Sequence, residues 1–403
     1  MPPHISPGGV LLVTPWYVPI LGGIARVADR LHRGLTDSGL ATHLLVCQEQ
    51  ETQCCYRLLP DKTFSNVWNM SIPSGAMYRL TPKTVAATTS RGLATLRQLR
   101  HFIHRHAITT ILVIYPFGFA WPWLVLRQQM ALRLITSYHG TDILNHENYT
   151  PLHRWISRQL LLRSDAIIVS ADHLAIKARQ IVPDKSLPIR RIANCADTSY
   201  FIPPAHRVPP PAPTLIHISN FAPKKRTLDI VAAFARADLP ADSRLLMVGA
   251  GVDHDASVTL AARLGLEHRI KFLGSQPDVR SLLWQSDALV MASDEESGPL
   301  AILEAMACGL PWIGTPWGIA EMLEDRGCGL VVPCRDIPAL AAAMSRLLCD
   351  QPLRQRMGHI GRRLVEKDFS LTTYVQKHVD VIDEAHRLHS HAGCSPGITR
   401  CSI

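Results

Sequence analysis

Short apolar runs alternate with amphipathic segments along the first half of the chain. The run Val10–Thr14 predicts a buried strand, and Ile24–Ser38 has apolar residues at helical spacing. Residues 48–82 show no clear period and interrupt the alternation. Further elements are a helix at Val85–His106 and strands at Thr42–Cys47, Thr110–Tyr115, Leu132–Ser137 and Ala166–Ser170. Strand–helix alternation of this kind indicates a parallel sheet with helices on both faces.

A proline-rich stretch separates this alternation from a second one. Six prolines lie between residues 203 and 213, in a stretch that neither a helix nor a sheet would accept. The pattern then restarts, with strands predicted at Leu215–Ser219, Leu245–Val248, Ile270–Leu273, Ala288–Met291 and Pro311–Gly314. Helices are predicted at Thr227–Ala237, Asp278–Ser286 and Leu300–Ala307.

The two alternations predict two α/β domains. The first domain, the linker and the second domain span residues 1–202, 203–213 and 214–370. Two terminal helices are predicted at about Leu353–Val365 and Leu371–Leu388. We expect the last helix, residues 371–388, to be able to pack back onto the first domain, and residues 390–403 to form a flexible tail.

The charge of the chain is concentrated in its first half. The first 200 residues hold 21 Lys and Arg against 11 Asp and Glu, whereas the remaining residues hold 21 against 22. The arginines are not clustered with aromatic residues, which argues against nucleic-acid binding. Contact with an anionic membrane surface stays open, because the helix that carries Arg91, Arg97, Arg100 and Arg105 also has an apolar side. The alternative is an ordinary packed helix with a solvated basic side.

The termini and apolar runs bear on localisation. No uninterrupted apolar stretch is long enough to span a membrane, and the N-terminal residues lack the charged region of a signal peptide. We therefore expect a cytoplasmic protein, with peripheral contact to the inner face of the cell membrane as an option.

The segment from Ser293 to Asp336 carries the strongest chemical signal. Glu296 and Glu304 are eight residues apart, on either side of the start of a helix predicted at Leu300. The free N–H groups and the positive dipole end of such a start suit a diphosphate, with Gly298 and Leu300 as backbone donors. Glu304 lies in an apolar helix and needs partners, such as a ribose diol. Glu296 could reach the hydroxyls of a sugar ring; the alternative is that both carboxylates are solvated surface charges.

This segment resembles the donor-site signature of glycosyltransferase family 4, which has the GT-B fold. Glu296 and Glu304 match the two glutamates of the signature, and the following matches are in register: Ala305, Met306, Ala307, Gly309 and Pro311. The family often has Phe-Gly where this chain has Gly298-Pro299, and Pro299 has no N–H to offer a phosphate. The resemblance implies two Rossmann-like parallel-sheet domains that face each other across a cleft, with a nucleotide diphosphate sugar as donor.

A second candidate loop begins at Ser219, after a predicted strand. Lys225 and Arg226 lie at its end, and cations at the carboxyl edge of an open sheet suit a diphosphate, although a solvated helix start is the alternative. In the family an Arg opens this loop and a Lys follows five residues later. Here Asn220 takes the position of the Arg and Lys225 that of the Lys, so we expect Arg226 to replace the missing charge.

Two loops of the predicted first domain complete the candidate site. Gly22 and Gly23 precede the first helix and resemble the family's P-x-x-G-G loop, which closes on the donor phosphates. His139 follows the strand that ends near Ser137. The resemblance places it near the reacting centre, and we expect it to position substrate rather than to act as a general base. Lys225, Glu296 and His139 are thus the candidate catalytic residues.

The resemblance also implies a mechanism. The anomeric configuration would be retained by a front-face displacement, in which the leaving diphosphate helps to deprotonate the acceptor hydroxyl. The cations and the helix start would stabilise the leaving group, so we expect neither a metal nor a cofactor. The one D-x-D sequence, Asp253-His254-Asp255, is interpreted as a solvated loop.

Three functions remain open at this point. A transferase of polysaccharide or lipopolysaccharide synthesis is favoured by the basic first half and by the first-helix loop around Gly22. A soluble transferase to a small acid is favoured by the loop at Asn220 and by the HGTDI run at His139, because both look like the branch that makes N-acetylglucosaminyl-malate for bacillithiol. A non-catalytic nucleotide-sugar-binding protein is disfavoured, because the donor signature is nearly intact.

Overall fold

A computed structural model of the chain contains two separate sheets. It describes residues 8–20, 22–48, 58–71, 82–205 and 212–392. The strands of the first sheet are β1 (Gly9–Thr14), β2 (Thr42–Gln48), β3 (Leu59–Pro60), β4 (Val67–Ser71), β5 (Ile108–Ile114), β6 (Arg133–Tyr138), β7 (Ala166–Val169) and β8 (Ile189–Arg191). Their order is β3-β4-β2-β1-β5-β6-β7-β8. All neighbours are parallel except β3 and β4.

Helices cover both faces of this first sheet. They are α1 (Gly23–Asp37), α2 (Pro82–Arg105), α3 (Trp121–Gln129), α4 (Thr141–Leu144), α5 (Pro151–Arg163) and α6 (Asp172–Ile181). One face packs against α2, α3 and α5 through side chains such as Leu99, Trp123 and Leu160. The opposite face packs against α1, whose Leu31 and Leu35 are buried. The apolar spacing of α1 therefore reflects this packing.

The second sheet is entirely parallel and begins after the proline-rich stretch. Its strands are β9 (Thr214–Ile218), β10 (Arg244–Val248), β11 (Ile270–Gly274), β12 (Ala288–Val290), β13 (Trp312–Gly314) and β14 (Gly329–Val331), in the order β11-β10-β9-β12-β13-β14. Its helices are α7 (Thr227–Arg236), α8 (His254–Arg263), α9 (Arg280–Trp284), α10 (Leu300–Ala307), α11 (Ile319–Leu323), α12 (Ile337–Cys349) and α13 (Gln351–Asp368). The prediction of two Rossmann-like domains is confirmed.

The chain passes between the two sheets twice. The first passage follows β8 and the second follows α13, where the N–H of Ala196 donates to the carbonyl of Phe369 at 3.0 Å. The last helix, α14 (Leu371–Ala392), packs against α1 and the first sheet through Val375, Val379 and Ile382. The final segment of the chain thus belongs to the core of the first sheet.

Several elements differ from the prediction. The stretch 48–82, which lacked a period, contributes the edge strand β3 and its neighbour β4. Several elements had no counterpart in the prediction, whereas the bounds of α10 agree with it; among the unpredicted elements are the helices α3, α5, α6, α8 and α12 and the strands β8 and β14. Most of the predicted linker, residues 206–211, and most of the predicted tail, residues 393–403, lie outside the described residues.

Within the described ranges, no helix combines the length and apolar character needed to cross a membrane.

The turn after α10 is held by a close approach to α13. A Cβ atom at Gly358, in the middle of α13, would lie 2.1 Å from the carbonyl oxygen of Gly309. At Gly361, one turn later, the nearest atom would be Cγ of the flexible Met306 side chain at 3.3 Å. The backbone contact at Gly358 therefore leaves no room for a side chain, whereas the neighbour at Gly361 can move.

We expect Gly358→Ala to lower the free energy of unfolding by about 1–3 kcal/mol, because the new methyl group forces backbone to shift. Gly361→Ala is the matched control, and a smaller loss or a gain is expected there, because alanine favours a helix interior over glycine. Urea unfolding monitored by circular dichroism measures both variants. Equal effects of the two substitutions would contradict the role of the Gly358 contact.

Candidate functional site

A cavity of about 580 Å³ lies between the two sheets. Its walls are the carboxyl ends of β1, β5 and β6 on one side and of β9, β10 and β12 on the other. The predicted site residues that line it are Gly22, Gly23, His139, Asn220, Lys225, Glu296, Gly298, Leu300 and Glu304. Open α/β sheets bind ligands at this edge, so the position of the cavity agrees with the topology.

Glu304 lies in α10, and every residue of this helix is buried. Its carboxylate is paired with two arginines of α1, on the other side of the cavity. Nη2 of Arg30 lies 2.5 Å from Oε1, and Nη1 of Arg26 lies 3.3 Å from Oε2. Arg30 also donates to the carbonyl of Cys195 at 2.5 Å. A buried carboxylate thus finds its partners in the first domain.

Glu296 precedes α10 and is paired with Lys225. The side chains are 13% and 12% exposed, and Lys225 Nζ donates to Oε1 of Glu296. The same oxygen accepts a hydrogen bond of 2.8 Å from the Ser293 hydroxyl. The two residues come from loops after neighbouring strands, β9 and β12, which explains why 71 residues of sequence separate them. A carboxylate and an ammonium group therefore meet at one wall of the cavity.

The loop before α10 is fixed by Asn194, a residue of the first passage between the sheets. Asn194 Nδ2 donates to the carbonyl of Gly298 at 2.8 Å, and a Cβ at Gly298 would lie 2.8 Å from the same nitrogen. Pro299 is the cap residue of α10, with no side-chain hydrogen bond. Since Pro299 has no N–H, the backbone donors at this helix start come from Leu300 and the residues after it.

The loop at Asn220 is shaped by a glycine turn. Gly249 follows β10 with φ of 140°, and a Cβ there would lie 1.7 Å from the carbonyl oxygen of Ser219. The two loops therefore touch through their backbones, and Asn220 is presented to the cavity. Only glycine allows such an approach at this φ.

Arg226 occupies a different place from the one expected. Its guanidinium is paired with Asp229, with Nε and Nη2 at 2.8 and 3.0 Å from the carboxylate oxygens. In the described part of the chain, Arg226 is not among the residues that line the cavity. The cations that do line it are Arg26, Lys224 and Lys225. Arg26 and Lys224 were not among the candidates from the sequence.

Gly22 and Gly23 lie at the start of α1, and no heavy atom is within 4 Å of a Cβ built on either residue. Their side of the cavity is open, so the backbone N–H groups of the first turn of α1 are accessible. Two helix starts, those of α1 and α10, thus line the same cavity from opposite domains.

His139 follows β6 in a loop that is fastened by Asp142. The Asp142 carboxylate accepts from the N–H groups of His139 and Gly140, at 3.0 and 2.7 Å. Nε2 of His139 lies 3.0 Å from the Ser137 hydroxyl, and its Nδ1 has no hydrogen-bond partner among the described residues. Removal from water, with a smaller contribution from His378, lowers the pKa of His139 to about 3. The imidazole is therefore neutral at physiological pH.

An aromatic pair lies beside His139 on the first-domain wall. The rings of Trp16 and Tyr115 are 5.2 Å apart, and Trp16 is 43% exposed. Tyr115 has a φ of 58°, in the left-handed region that non-glycine residues rarely adopt, and its hydroxyl contacts that of Thr141. Backbone strain of this kind tends to occur at functional sites. No local pattern in the chain indicates this pair.

The D-x-D sequence begins the helix α8. Asp253 is the cap residue, and the side chain of Asp255 is fully exposed and paired with His254. Across the described ranges, no group of three or more His, Cys, Asp and Glu side chains is arranged to hold a metal ion.

The arginines of α1 are the main site residues that no sequence pattern indicates. Arg26 and Arg30 are four residues apart on one face of the helix, a spacing that is also typical of a solvated face. Their partner Glu304 lies more than 270 residues later in the chain. No local pattern could indicate this pairing, which only the arrangement of the two domains creates.

We expect the His139 imidazole to stay neutral between about pH 5 and pH 8. Folding lowers the pKa of His139 from 6.5 to about 3. The contribution of the neutral imidazole to the free energy of unfolding is therefore present above pH 6.5 and is lost as the pH falls from 6.5 toward 3. Nitrogen-15 NMR of histidine-labelled protein measures the titration, with His139→Gln to assign the signal. A His139 signal that titrates near pH 6.5 would contradict the expectation.

Two family models match consecutive parts of the chain. The model for Glycosyltransferase Family 4 matches residues 21–200, and the model for Glycosyl transferases group 1 matches residues 200–364. The first model covers the first sheet from β2 onward and the second covers the second sheet, and together they include every candidate site residue.

Curated relatives support the same assignment. N-acetyl-alpha-D-glucosaminyl L-malate synthase of Bacillus anthracis is 29% identical over 366 residues, which are 87% of this chain and 91% of the relative. The lipopolysaccharide core biosynthesis glycosyltransferase LpsE of Rhizobium meliloti is 32% identical over 163 residues, which are 40% of this chain and 47% of that protein.

Solved structures share the whole architecture. Sucrose-phosphate synthase from Thermosynechococcus elongatus superposes with a TM-score of 0.74 at 19% identity, over 95% of this chain and 100% of that one. HepE of Anabaena in complex with UDP-glucose has a TM-score of 0.69 at 18% identity, over 94% and 99% of the two chains. Both family models describe glycosyltransferases and the solved structures share both sheets, so the chain is a glycosyltransferase with the GT-B fold, whose first domain matches the Family 4 model.

Proposed function

We propose that this glycosyltransferase moves a sugar from a nucleotide diphosphate sugar to a hydroxyl acceptor and retains the anomeric configuration. The observation that carries the proposal is the convergence of Glu296, Glu304, Lys225 and the α10 start in one cavity. A diphosphate fits the helix start and Lys225, a ribose diol fits Glu304, and the sugar hydroxyls fit Glu296. HepE of Anabaena, which shares the fold, was solved with UDP-glucose.

The proposed reaction breaks the bond between the anomeric carbon and the diphosphate oxygen. The electron pair of that bond goes to the diphosphate, where Lys225 and the backbone N–H groups of α10 stabilise the negative charge. The acceptor oxygen forms the new bond on the same face of the sugar, and its proton passes to the departing diphosphate. His139, which is neutral, positions a sugar hydroxyl through a hydrogen bond. This scheme uses neither a cofactor nor a metal, because the protein's own cations stabilise the leaving group.

For the acceptor we propose a sugar of a cell-surface polysaccharide or lipopolysaccharide. Trp16 and Tyr115 form an aromatic surface on the acceptor side of the cavity, next to His139. Aromatic rings of this kind bind the apolar face of a sugar and leave its hydroxyls free for hydrogen bonds. The lipopolysaccharide relative LpsE agrees with this acceptor class, although it aligns with 40% of the chain.

Transfer to a small acid such as malate is the second candidate. The malate synthase of Bacillus anthracis aligns with 87% of this chain, which is more than twice the share that LpsE covers. A dianionic acceptor would need a cation on the acceptor side. Among the described residues that line the cavity, the cation of the first domain is Arg26, and it is paired with Glu304. The polysaccharide acceptor therefore fits the described cavity better.

The first domain also carries a surface that suits an anionic membrane. Arg154, Arg158 and Arg163 are exposed on α5, a helix that contains no acidic residue. Between them Trp155 and Leu162 are 57% and 44% exposed. Basic residues with exposed apolar side chains are typical of helices that lie on a membrane surface.

This surface lies close to the proposed acceptor side. The Tyr149 hydroxyl, just before α5, donates to the carbonyl of Thr141, which lines the cavity. We therefore propose peripheral binding to the inner face of the cell membrane, by a protein that is otherwise cytoplasmic, with a lipid-linked sugar as the acceptor. A transferase to malate would have no need for this surface.

Lys225→Ala should lower turnover by roughly a hundredfold or more, because the developing charge on the diphosphate loses a preorganised cation. The assay measures nucleotide release from a panel of UDP-, GDP- and ADP-sugars, with NMR coupling constants to identify the anomer of any product. Lys271→Ala, at an exposed lysine of β11, is the control and should keep wild-type turnover. Wild-type turnover in Lys225→Ala would remove Lys225 from the mechanism.

The same assay separates the functions. Transfer to saccharide or lipid-linked acceptors supports the first candidate, and turnover with free L-malate supports the second. An inverted product would contradict retention. Tight nucleotide binding without any turnover would indicate a non-catalytic binding protein.

We expect the protein to co-sediment with phosphatidylglycerol vesicles and not with phosphatidylcholine vesicles, and the binding should weaken with added salt. The double substitution Arg154→Glu/Arg158→Glu should abolish this binding. The matched control is Arg236→Glu/Arg263→Glu, at exposed arginines of the second domain. Equal binding of both double variants would contradict the role of α5.

A further inference from the structure

The two arginines that hold Glu304 differ in their surroundings. The Arg30 side chain is 6% exposed, and its guanidinium is fixed by Glu304, by the carbonyl of Cys195 and by the ring of Phe201. The Arg26 side chain is 27% exposed and lines the cavity, and its contacts with Glu304 are longer, at 3.3 and 3.4 Å. Arg30 is thus a permanent partner of Glu304, whereas Arg26 is held loosely at the cavity wall.

The charges of this cluster do not balance. Two guanidinium groups share one carboxylate, so the cluster carries one excess positive charge beside the cavity. On the opposite wall, Lys225 is already paired with Glu296, and Arg226 is paired with Asp229 outside the cavity. Asn220 supplies no charge. Lys224 also lines that wall, whereas Arg26 is the cation that the described first domain offers to the cavity, so a diphosphate with two or three negative charges needs Arg26 to be held by cations from both domains.

The position of Arg26 fits this need. Arg26 lies in the first turn of α1, where its backbone N–H donates to the carbonyl of Gly22 at 3.2 Å. Its side chain reaches Glu304, which is one turn into α10 from Leu300. The guanidinium thus lies between two helix starts that face the cavity. A ribose held by Glu304 would place its diphosphate toward those helix starts.

We propose that Arg26 is a cation for the leaving diphosphate and is released from Glu304 when the nucleotide binds. The ribose hydroxyls take the Glu304 oxygens that Arg26 contacts, and the freed guanidinium turns to the diphosphate, which it can bind through two parallel hydrogen bonds. Arg30 stays in place as the positioning residue of Glu304. This proposal rests on the proposed donor site, and it assigns to the first domain the charge that Asn220 does not provide.

The proposal predicts opposite effects on two probes. In Arg26→Ala, UDP should bind about tenfold to a hundredfold more weakly, because one charge-assisted contact to the diphosphate is lost. Uridine has the ribose without the phosphates, and its affinity should stay unchanged or increase, because a competitor for Glu304 has gone. Isothermal titration calorimetry with UDP and uridine measures both. Arg26→Gln, which keeps most of the side-chain volume, should behave like Arg26→Ala.

Two further variants make the result specific. In Arg30→Ala, UDP and uridine should weaken by similar factors, because Glu304 loses its orientation for the ribose. Arg33→Ala, at a 53% exposed arginine of the same helix, should leave both affinities unchanged. Circular dichroism of each variant checks that α1 is folded.

The outcomes are distinguishable. Unchanged UDP affinity in Arg26→Ala, or equal weakening of UDP and uridine, would overturn the role of Arg26 and leave the donor site intact. If the wild-type protein binds none of UDP, GDP and ADP, the proposed donor site fails and this inference fails with it.

Discussion

The buried carboxylate of Glu304 is the constraint on which the cleft depends. An ionised group with a 1% exposed side chain has lost its contact with water, and leaving it without partners would cost several kcal/mol. Its partners are arginines of α1, a helix that packs on the other sheet. The donor helix and the first domain are therefore joined at the point where the nucleotide is proposed to bind, and the geometry of the cavity follows from this contact.

Much of the candidate site could be predicted because its residues follow local rules. The apolar run after Leu300 predicts α10, and the glutamates on either side of the helix start belong to a signature with fixed spacing. Arg26 and Arg30 follow no such rule, because a polar side of an amphipathic helix looks the same whether it faces water or a carboxylate of another domain. For the same reason Arg226 could not be excluded in advance: its partner Asp229 is one helical turn away in the sequence and could as well have been solvated.

The fold was predictable where strands are central and apolar. The buried strands β1 and β5 contain the continuous apolar runs Val10–Val13 and Ile111–Ile114, which is typical of parallel sheets covered on both faces. The strand β4, next to the two-residue edge strand β3, mixes Trp68 and Asn69 in five residues and pairs over its length with β2 alone, so its sequence lacks that pattern. Strand β14 has three residues, and its place is set by pairing with β13 rather than by its own sequence. Short and peripheral elements depend on tertiary contacts that a single sequence does not display.

The hydrogen bond between Ala196 and Phe369 joins the two passages of the chain between the sheets. The two segments therefore lie side by side where the chain passes between the domains. Any separation of α10 from α1 would stretch the contacts of Arg26 and Arg30 with Glu304 and leave a buried carboxylate without its partners. The ion pairs of Glu304 thus oppose widening of the cavity.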